Sequence, residues 1–352
     1  MTVSRRQKIP FAITALLFST LACRAATRLI IPDTPTPQPT LTATFAPTLT
    51  PFPPPVTPTF EYIASCPLVL DQIVKDSTSS DESPLNGSSI ANTNLAYLVE
   101  YVVSGDELKN PHLESVPNRL KAEQQNRASH EEIWKYFTRL IPADQRALVN
   151  GFSIFTDGKD NILAAVNQSD RDANQWELNV DFADASLKTS LTFTLLHEFG
   201  HLLTLNSAQA PVDLAVYKHP DDETLYQREV DACPQYFTGE GCSNPDSYIN
   251  QFFERFWTDL YAEWQAIDAE KDEDTRLNMI ADFYKTYQDQ FLTDYAPTSP
   301  AEDIAESWAF FILAPKPESN SIANEKILFF YEYPELVQLR EQILDKICVE
   351  FQ

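Results

Sequence analysis

The sequence predicts an α+β fold in which a small antiparallel sheet packs on one buried helix, followed by a mainly helical C-terminal half. Three observations support it. Phe152 to Phe155, Ile162 to Val166 and Trp176 to Phe182 are short runs rich in β-branched and aromatic residues, split by turn-forming stretches. They lead into an apolar run at helical period, Thr194-Leu-Leu-His197-Glu198-Phe-Gly-His201-Leu-Leu-Thr204. Beyond it, residues 248–267 and 277–291 carry apolar side chains on wide helical faces.

In chain order, residues 1–23 read as an export signal. Arg5, Arg6 and Lys8 precede an apolar run from Phe11 to Ala22 that is too short for a stable membrane anchor. The run ends Thr20-Leu21-Ala22-Cys23, which resembles a bacterial lipobox, so Cys23 is the expected lipidation site. Residues 24–60 are a spacer. Between 32 and 60 lie ten prolines and nine threonines with almost no charge, a composition that stays extended and buries no core. The expectation is an extracytoplasmic protein held outside a bacterial cell membrane by its N-terminal lipid, or otherwise secreted. The membrane is a partner only through that anchor.

The net charge of −25, from 26 basic against 51 acidic residues, repels nucleic acid and anionic lipid, which excludes both as ligands of the folded part. Without Cys23 four cysteines remain, and export favours pairing them. Cys233 and Cys242 flank a Gly239-Glu240-Gly241 turn and form the natural local bridge. Cys66 and Cys348 then tie the two ends of the domain, closing a loop worth ~4–5 kcal/mol in the chain-entropy model.

Residues 61–352 form the globular domain, with an α/β half at 61–190 and a helical half at 191–352. Asn94 to Val103 is an expected strand stopped by Ser104-Gly105-Asp106, and Asp76 to Ser89 a polar loop. Ser129-His-Glu-Glu132 reads as a capping box opening a helix through Leu140. His130, in that first turn, and His112, after a proline, are expected at the surface. Thr156-Asp157-Gly158-Lys159 signals a hairpin between the first two of the three strands, giving an antiparallel meander. Pro211 to Asp222 reads as a loop and Glu270 to Asp274 as a solvated charge run.

Chemistry concentrates in the H-E-x-x-H run. His197 and His201, four apart, share one helix face and form a two-toothed metal clamp, with Glu198 beside it. A catalytic zinc needs a third protein ligand. Thr204 and Ser207 stand where a third nearby histidine would fall, and His219 lies in an acidic loop, so the ligand is a carboxylate. Two regions offer one: Glu223, about twenty residues on, and the stretch Tyr295-Ala-Pro-Thr-Ser299-Pro300-Ala-Glu302-Asp303-Ile-Ala-Glu306. In the latter, Ser299 with Pro300 starts a helix on which Glu302 and Glu306 share a face; Glu302 is also suited to cap with Ser299.

These two motifs together resemble the catalytic domain of anthrax lethal factor and the bacterial zinc-binding metallopeptidases similar to it, a gluzincin-type, zincin-like group. The tyrosine-to-glutamate spacing matches as well as the histidine motif; the insertion between them, with its cysteine pair, is longer than the minimal pattern. The resemblance implies that one zinc ion is held by His197, His201 and Glu302, and that Tyr295 stabilises the transition state. On that ligand set Glu198 is the general base. Glu306 would accept the free N–H of a ligand histidine, and Asp303 is a further candidate for such support. The expected activity is extracytoplasmic zinc-dependent endopeptidase action on a peptide or protein substrate. The alternative is a non-catalytic, surface-anchored binding protein with a structural or vestigial metal. No specificity motif or protein partner is legible.

Overall fold

Strand-forming residues dominate between 96 and 181, and helices take over from 188 onward. The computed structural model describes residues 66–78, 95–158 and 162–352. The expected signal at 1–23, the spacer at 24–60 and the polar stretch from 79 to 89 lie outside the described residues.

Five strands, β1 (Ala96–Ser104), β2 (Glu107–Leu113), β3 (Val149–Thr156), β4 (Ala164–Ser169) and β5 (Asp172–Asp181), form one sheet in the order β2-β1-β3-β5-β4. The sheet is mixed rather than an antiparallel meander: β3 and β5 run parallel, the other pairs antiparallel. The expected hairpin between β3 and β4 does not form, because β5 lies between them. The true hairpin joins β4 to β5, with Ser169 opposite Asp172. Burial explains the order. From Trp176 to Asp181 every residue of β5 is buried on both faces, as a strand flanked on both sides should be. Strand β2 gave no sequence signal: its E-L-K-N-P-H-L is exposed save for Leu108, and its proline is tolerable because the strand is an edge.

Three α-helices precede β3 among the described residues. One, α1 (Cys66–Ser77), starts the described domain; the short α2 (Lys121–Gln124) leads into α3 (Arg127–Leu140). The α3 cap is Asn126, whose side chain accepts from the Ser129 N–H, so Ser129 lies inside the helix instead of opening it. His130 is accordingly not at the surface. It is fully buried, with Nδ1 2.8 Å from the Tyr101 hydroxyl and Nε2 3.0 Å from the Glu123 carbonyl.

The helix that carries the two histidines, α4 (Lys188–Leu205), is buried along nearly all of its length. Short helices α5 (Leu214–Lys218) and α6 (Glu223–Ala232) follow, the first inside the stretch expected to be a loop. The expected continuous helix at 248–267 is two, α7 (Tyr248–Phe256) and α8 (Tyr261–Asp268). The break coincides with Trp257, whose buried indole donates to Asp303 at 2.8 Å. Next, α9 (Glu273–Thr286) is capped by Asp272 from the acidic run that precedes it. Then come α10 (Pro300–Leu313), α11 (Ile322–Phe330) and α12 (Pro334–Glu350).

Both expected disulfides are present, Cys66–Cys348 with Cα atoms 5.3 Å apart and Cys233–Cys242 at 5.4 Å. They point to an oxidising, extracytoplasmic environment. No helix among the described residues is long and apolar enough to cross a membrane.

Two features of the core set up the site. β4, an edge strand, lies alongside α4. On the other side α10 crosses α4 very closely: a Cβ added at Gly200 would stand 3.0 Å from the Ala305 Cα and 3.1 Å from the Trp308 ring. Only glycine permits that approach, which brings the first turns of α10 against the histidine face of α4.

Candidate metal centre

His197 and His201 stand on one face of α4 with ring centroids 4.8 Å apart, as their four-residue spacing requires. Glu302, 105 residues further on, meets both of them. Its Oε2 lies 2.9 Å from His197 Nε2 and 3.2 Å from His201 Nε2, and the two Nε2 atoms are 3.1 Å apart. All three side chains are buried. Glu302 is placed by its cap: Pro300 fills the first helical position of α10, and the Ser299 hydroxyl accepts the Glu302 N–H at 3.1 Å. The backbone half of the expected capping interaction therefore forms while the carboxylate turns inward.

The donors fit a divalent cation. His197 Nδ1 is 2.8 Å from Glu306 Oε1, so an N–H there leaves the Nε2 lone pair facing Glu302 and His201. Two imidazole nitrogens and a carboxylate oxygen then converge, with no Lys or Arg among the described residues paired to them. Lone pairs held this close repel unless a positive charge sits among them. Burial works to raise the Glu302 carboxyl, but the His201 charge and hydrogen bonding with both histidines outweigh it and hold the group well below the usual range. Burial works to lower His197, and Glu302 and Glu306 outweigh it, lifting the ring well above its usual value. The three side chains form a group able to hold a metal ion.

Around it, Glu306 is doubly held: Oε1 by His197 and Oε2 by the Thr293 hydroxyl at 2.8 Å. Glu198 is buried, and burial pushes its carboxyl up to about 7 against the pull of His197 and His201. A backbone hydrogen bond from Val166 in β4 holds it, while its Oε2 has no hydrogen-bond partner among the described residues. Tyr295, half-buried, packs on His197 with centroids 5.8 Å apart. Burial and the carboxylates of Glu302, Glu198 and Glu306 keep its hydroxyl protonated far above the usual range.

Two residues singled out from the sequence stand elsewhere. Glu223 is exposed at the start of α6, outside the group. Asp303 contacts neither histidine: it pairs with Lys326 at 2.6 Å and accepts the Trp257 indole N–H. Thr293, Val166 and Gly200 were not legible as site residues, since a lone threonine, a strand valine and a helical glycine carry no chemical signature.

Comparison with family models, with curated proteins and with solved structures finds no match to this chain.

Proposed function

We propose that this chain is an extracytoplasmic zinc-dependent endopeptidase of the zincin type, with His197, His201 and Glu302 as the ligands of one zinc ion. The observation that carries the reading is the meeting of Glu302 with both imidazoles in a buried cluster beside a carboxylate, Glu198, that has an oxygen to spare. Two histidines and one glutamate leave a fourth position open on zinc, which is the donor set of a catalytic rather than a structural site. A structural site also has no use for Glu198.

When bound there, the ion polarises a scissile carbonyl and makes a water more acidic. Glu198 takes the proton of the attacking water at its free Oε2. As the C–N bond breaks it returns that proton to the leaving amine. The Tyr295 hydroxyl, kept protonated, donates to the oxyanion that develops on the carbonyl. Glu306, itself fixed by Thr293, holds the His197 ring so that Nε2 faces the ion. Edge strand β4, which already holds Glu198 through Val166, has one side unpaired among the described residues, on which an extended peptide can add as a further strand.

The test is metal content and proteolysis of the purified full-length chain. Stoichiometric zinc and chelator-sensitive cleavage of an unfolded generic protein are expected. Glu198→Gln should keep the zinc and lose at least about a hundredfold in rate. Glu302→Gln should lose the metal, and Glu223→Gln should not. Wild-type rates in the Glu198 variant, or metal loss with Glu223 rather than Glu302, would overturn the assignment.

A further inference from the structure

What stands at the end of edge strand β4 decides which peptides can lie along it. The groups that strand turns outward follow from its register. The Asp181 N–H donates to the Leu163 carbonyl at 2.8 Å, which faces the Leu163 backbone toward β5. Alternation then faces Ala165 and Asn167 toward β5 as well, and Ala164, Val166 and Gln168 toward the free edge. The Val166 N–H beside Glu198 is one of these outward groups.

Helix α5 (Leu214–Lys218) closes one end of that edge. Its Tyr217 hydroxyl donates at 2.8 Å to the carbonyl of Ser169, the last residue of β4. The start of α5 is fixed independently. The Asp213 side chain caps it, accepting the N–H groups of Ala215 and Val216 at 2.8 and 3.0 Å. The Asp213 N–H in turn donates to the Glu240 carbonyl at 2.7 Å, in the turn clipped by the Cys233–Cys242 disulfide. In the same turn, Gly241 lies so close to the chain entering α5 that a Cβ would stand 2.0 Å from the Pro211 carbonyl oxygen. A single helical turn does not hold its shape alone. This one is held at both ends by contacts outside itself.

The side chain that α5 exposes is apolar. Leu214 is 55 % exposed, and the helix leaves it in water although its neighbour Val216 is buried. A lone exposed leucine is ordinary on a protein surface, so its exposure alone assigns nothing. Its position does. Leu214 and Tyr217 are three residues apart and share a helix face, while Val216 lies on the opposite side, against the protein. The face that reaches the end of β4 is therefore the face that carries Leu214. An apolar side chain of a peptide laid along β4 would remove both itself and Leu214 from water.

The spacing selects the peptide residue concerned. A strand advances about 3.3 Å per residue, so Ser169, three residues past Val166, lies about 10 Å along the edge from Glu198. A peptide paired with β4 and cleaved at Glu198 presents to α5 a side chain about three residues from the cleaved bond.

We propose that α5 is a specificity wall of the substrate groove, with Leu214 selecting an apolar side chain at that distance and Tyr217 as the positioning residue that holds the helix to β4. This rests on the peptidase reading above and names its substrate class: extended peptides with an apolar residue at that distance, on one side of the cleaved bond.

The experiment digests a peptide library of unbiased sequence with the full-length, zinc-loaded chain and maps the cleaved bonds by mass spectrometry. Wild type is compared with Leu214→Asp, Leu214→Gln and Tyr217→Phe. In the wild type, apolar residues should be enriched about two to four positions from the cleaved bond, on one side only. For two fluorogenic peptides that differ only there, leucine against aspartate, kcat/KM should favour leucine by about tenfold. The difference should reside in KM, because such a contact is made equally in the bound substrate and the transition state. Leu214→Asp should abolish the preference, Leu214→Gln should weaken it, and Tyr217→Phe should blunt it with an unchanged circular dichroism spectrum. Cleavage without enrichment at that distance, or enrichment that survives Leu214→Asp, would overturn the wall and leave the peptidase standing. A zinc-loaded wild type that cleaves no peptide of the library would overturn both.

Discussion

Replacing Gly200 by alanine reverses an ordinary rule, and the sign of the result tests how the site is assembled. Within a helix, glycine to alanine gains about 1 kcal/mol of stability, because glycine loses more backbone freedom on folding. At position 200 the new methyl would sit 3.0 Å from the Ala305 Cα, 3.1 Å from the Trp308 ring and 3.3 Å from the Ala305 Cβ. The first of these is backbone of the neighbouring helix, so no side-chain rotation relieves it. Over-packing of this kind costs about 1–3 kcal/mol, enough to cancel or outweigh the propensity gain. A net change between zero and about 2 kcal/mol of destabilisation follows from those two magnitudes. The function should suffer more than the stability. Relief of the clash requires α4 and α10 to part by several tenths of an ångström, and metal sites tolerate about 0.2 Å in ligand distance. Zinc affinity should therefore fall at least tenfold even if the fold survives. Urea denaturation of the metal-free chain and chelator competition measure the two quantities separately. A Gly200→Ala protein that is about 1 kcal/mol more stable and binds zinc as before would refute the account of how Glu302 is brought to the histidines.

Three further outcomes follow from buried groups away from the ligands' donor atoms. Lys326 is fully buried and pairs with Asp303 at 2.6 Å, with the Phe291 ring 4.1 Å from its ammonium. Lys326→Met leaves Asp303 without its cation and should cost about 3–5 kcal/mol in urea denaturation, and adding Asp303→Asn should recover much of that; equal losses in the single and double variants would show the pair is not coupled. Burial lifts Asp268 to about 7, against the pull of Arg276. Because its folded value is raised, the protonated form favours the fold: this contribution is complete below about pH 4 and is lost as pH rises through 7. Asp268→Asn should thus gain stability relative to wild type as pH goes from 5 to 8, and a constant difference across that range would contradict the burial argument. Finally, removing the Cys66–Cys348 bridge by a double serine substitution should lower unfolding stability by on the order of 5 kcal/mol, the chain-entropy cost of so long a loop, with little change if the denatured chain is already compact.

What the sequence made legible were local patterns whose meaning does not depend on distant partners. The histidine spacing, the cap at Ser299 with Pro300 and the pairing of four cysteines each follow from geometry within a turn, or from elimination among few choices. The sheet order did not. Strands β3 and β4 look like a hairpin because Asp157-Gly158 is a good turn. What decides the topology is that β5 has both faces and both edges to bury, and edge burial leaves no periodic trace. The same blindness covered His130, which a helix N-terminal pattern places outside and the Tyr101 hydroxyl holds inside.

Long-range convergence is where physical reasoning from residue type does most, and where it can mislead. Glu302 and Asp303 are neighbours in sequence, both acidic and both buried in the first turn of α10, and only the spacing from Tyr295 and the shared face with Glu306 set Glu302 apart in the sequence. A helix turns 100° between adjacent residues, so one faces α4 and the other the gap between α7 and α11. The first meets two imidazoles, the second a lysine and an indole. A buried carboxylate needs a positive or hydrogen-bonding partner. For Asp303 that partner is Lys326, whereas for Glu302 the described residues bring two imidazoles, each able to turn a nitrogen lone pair toward a cation instead. It is this difference between two adjacent residues that places the group able to hold a metal ion on one side of α10 and a lysine–carboxylate pair on the other.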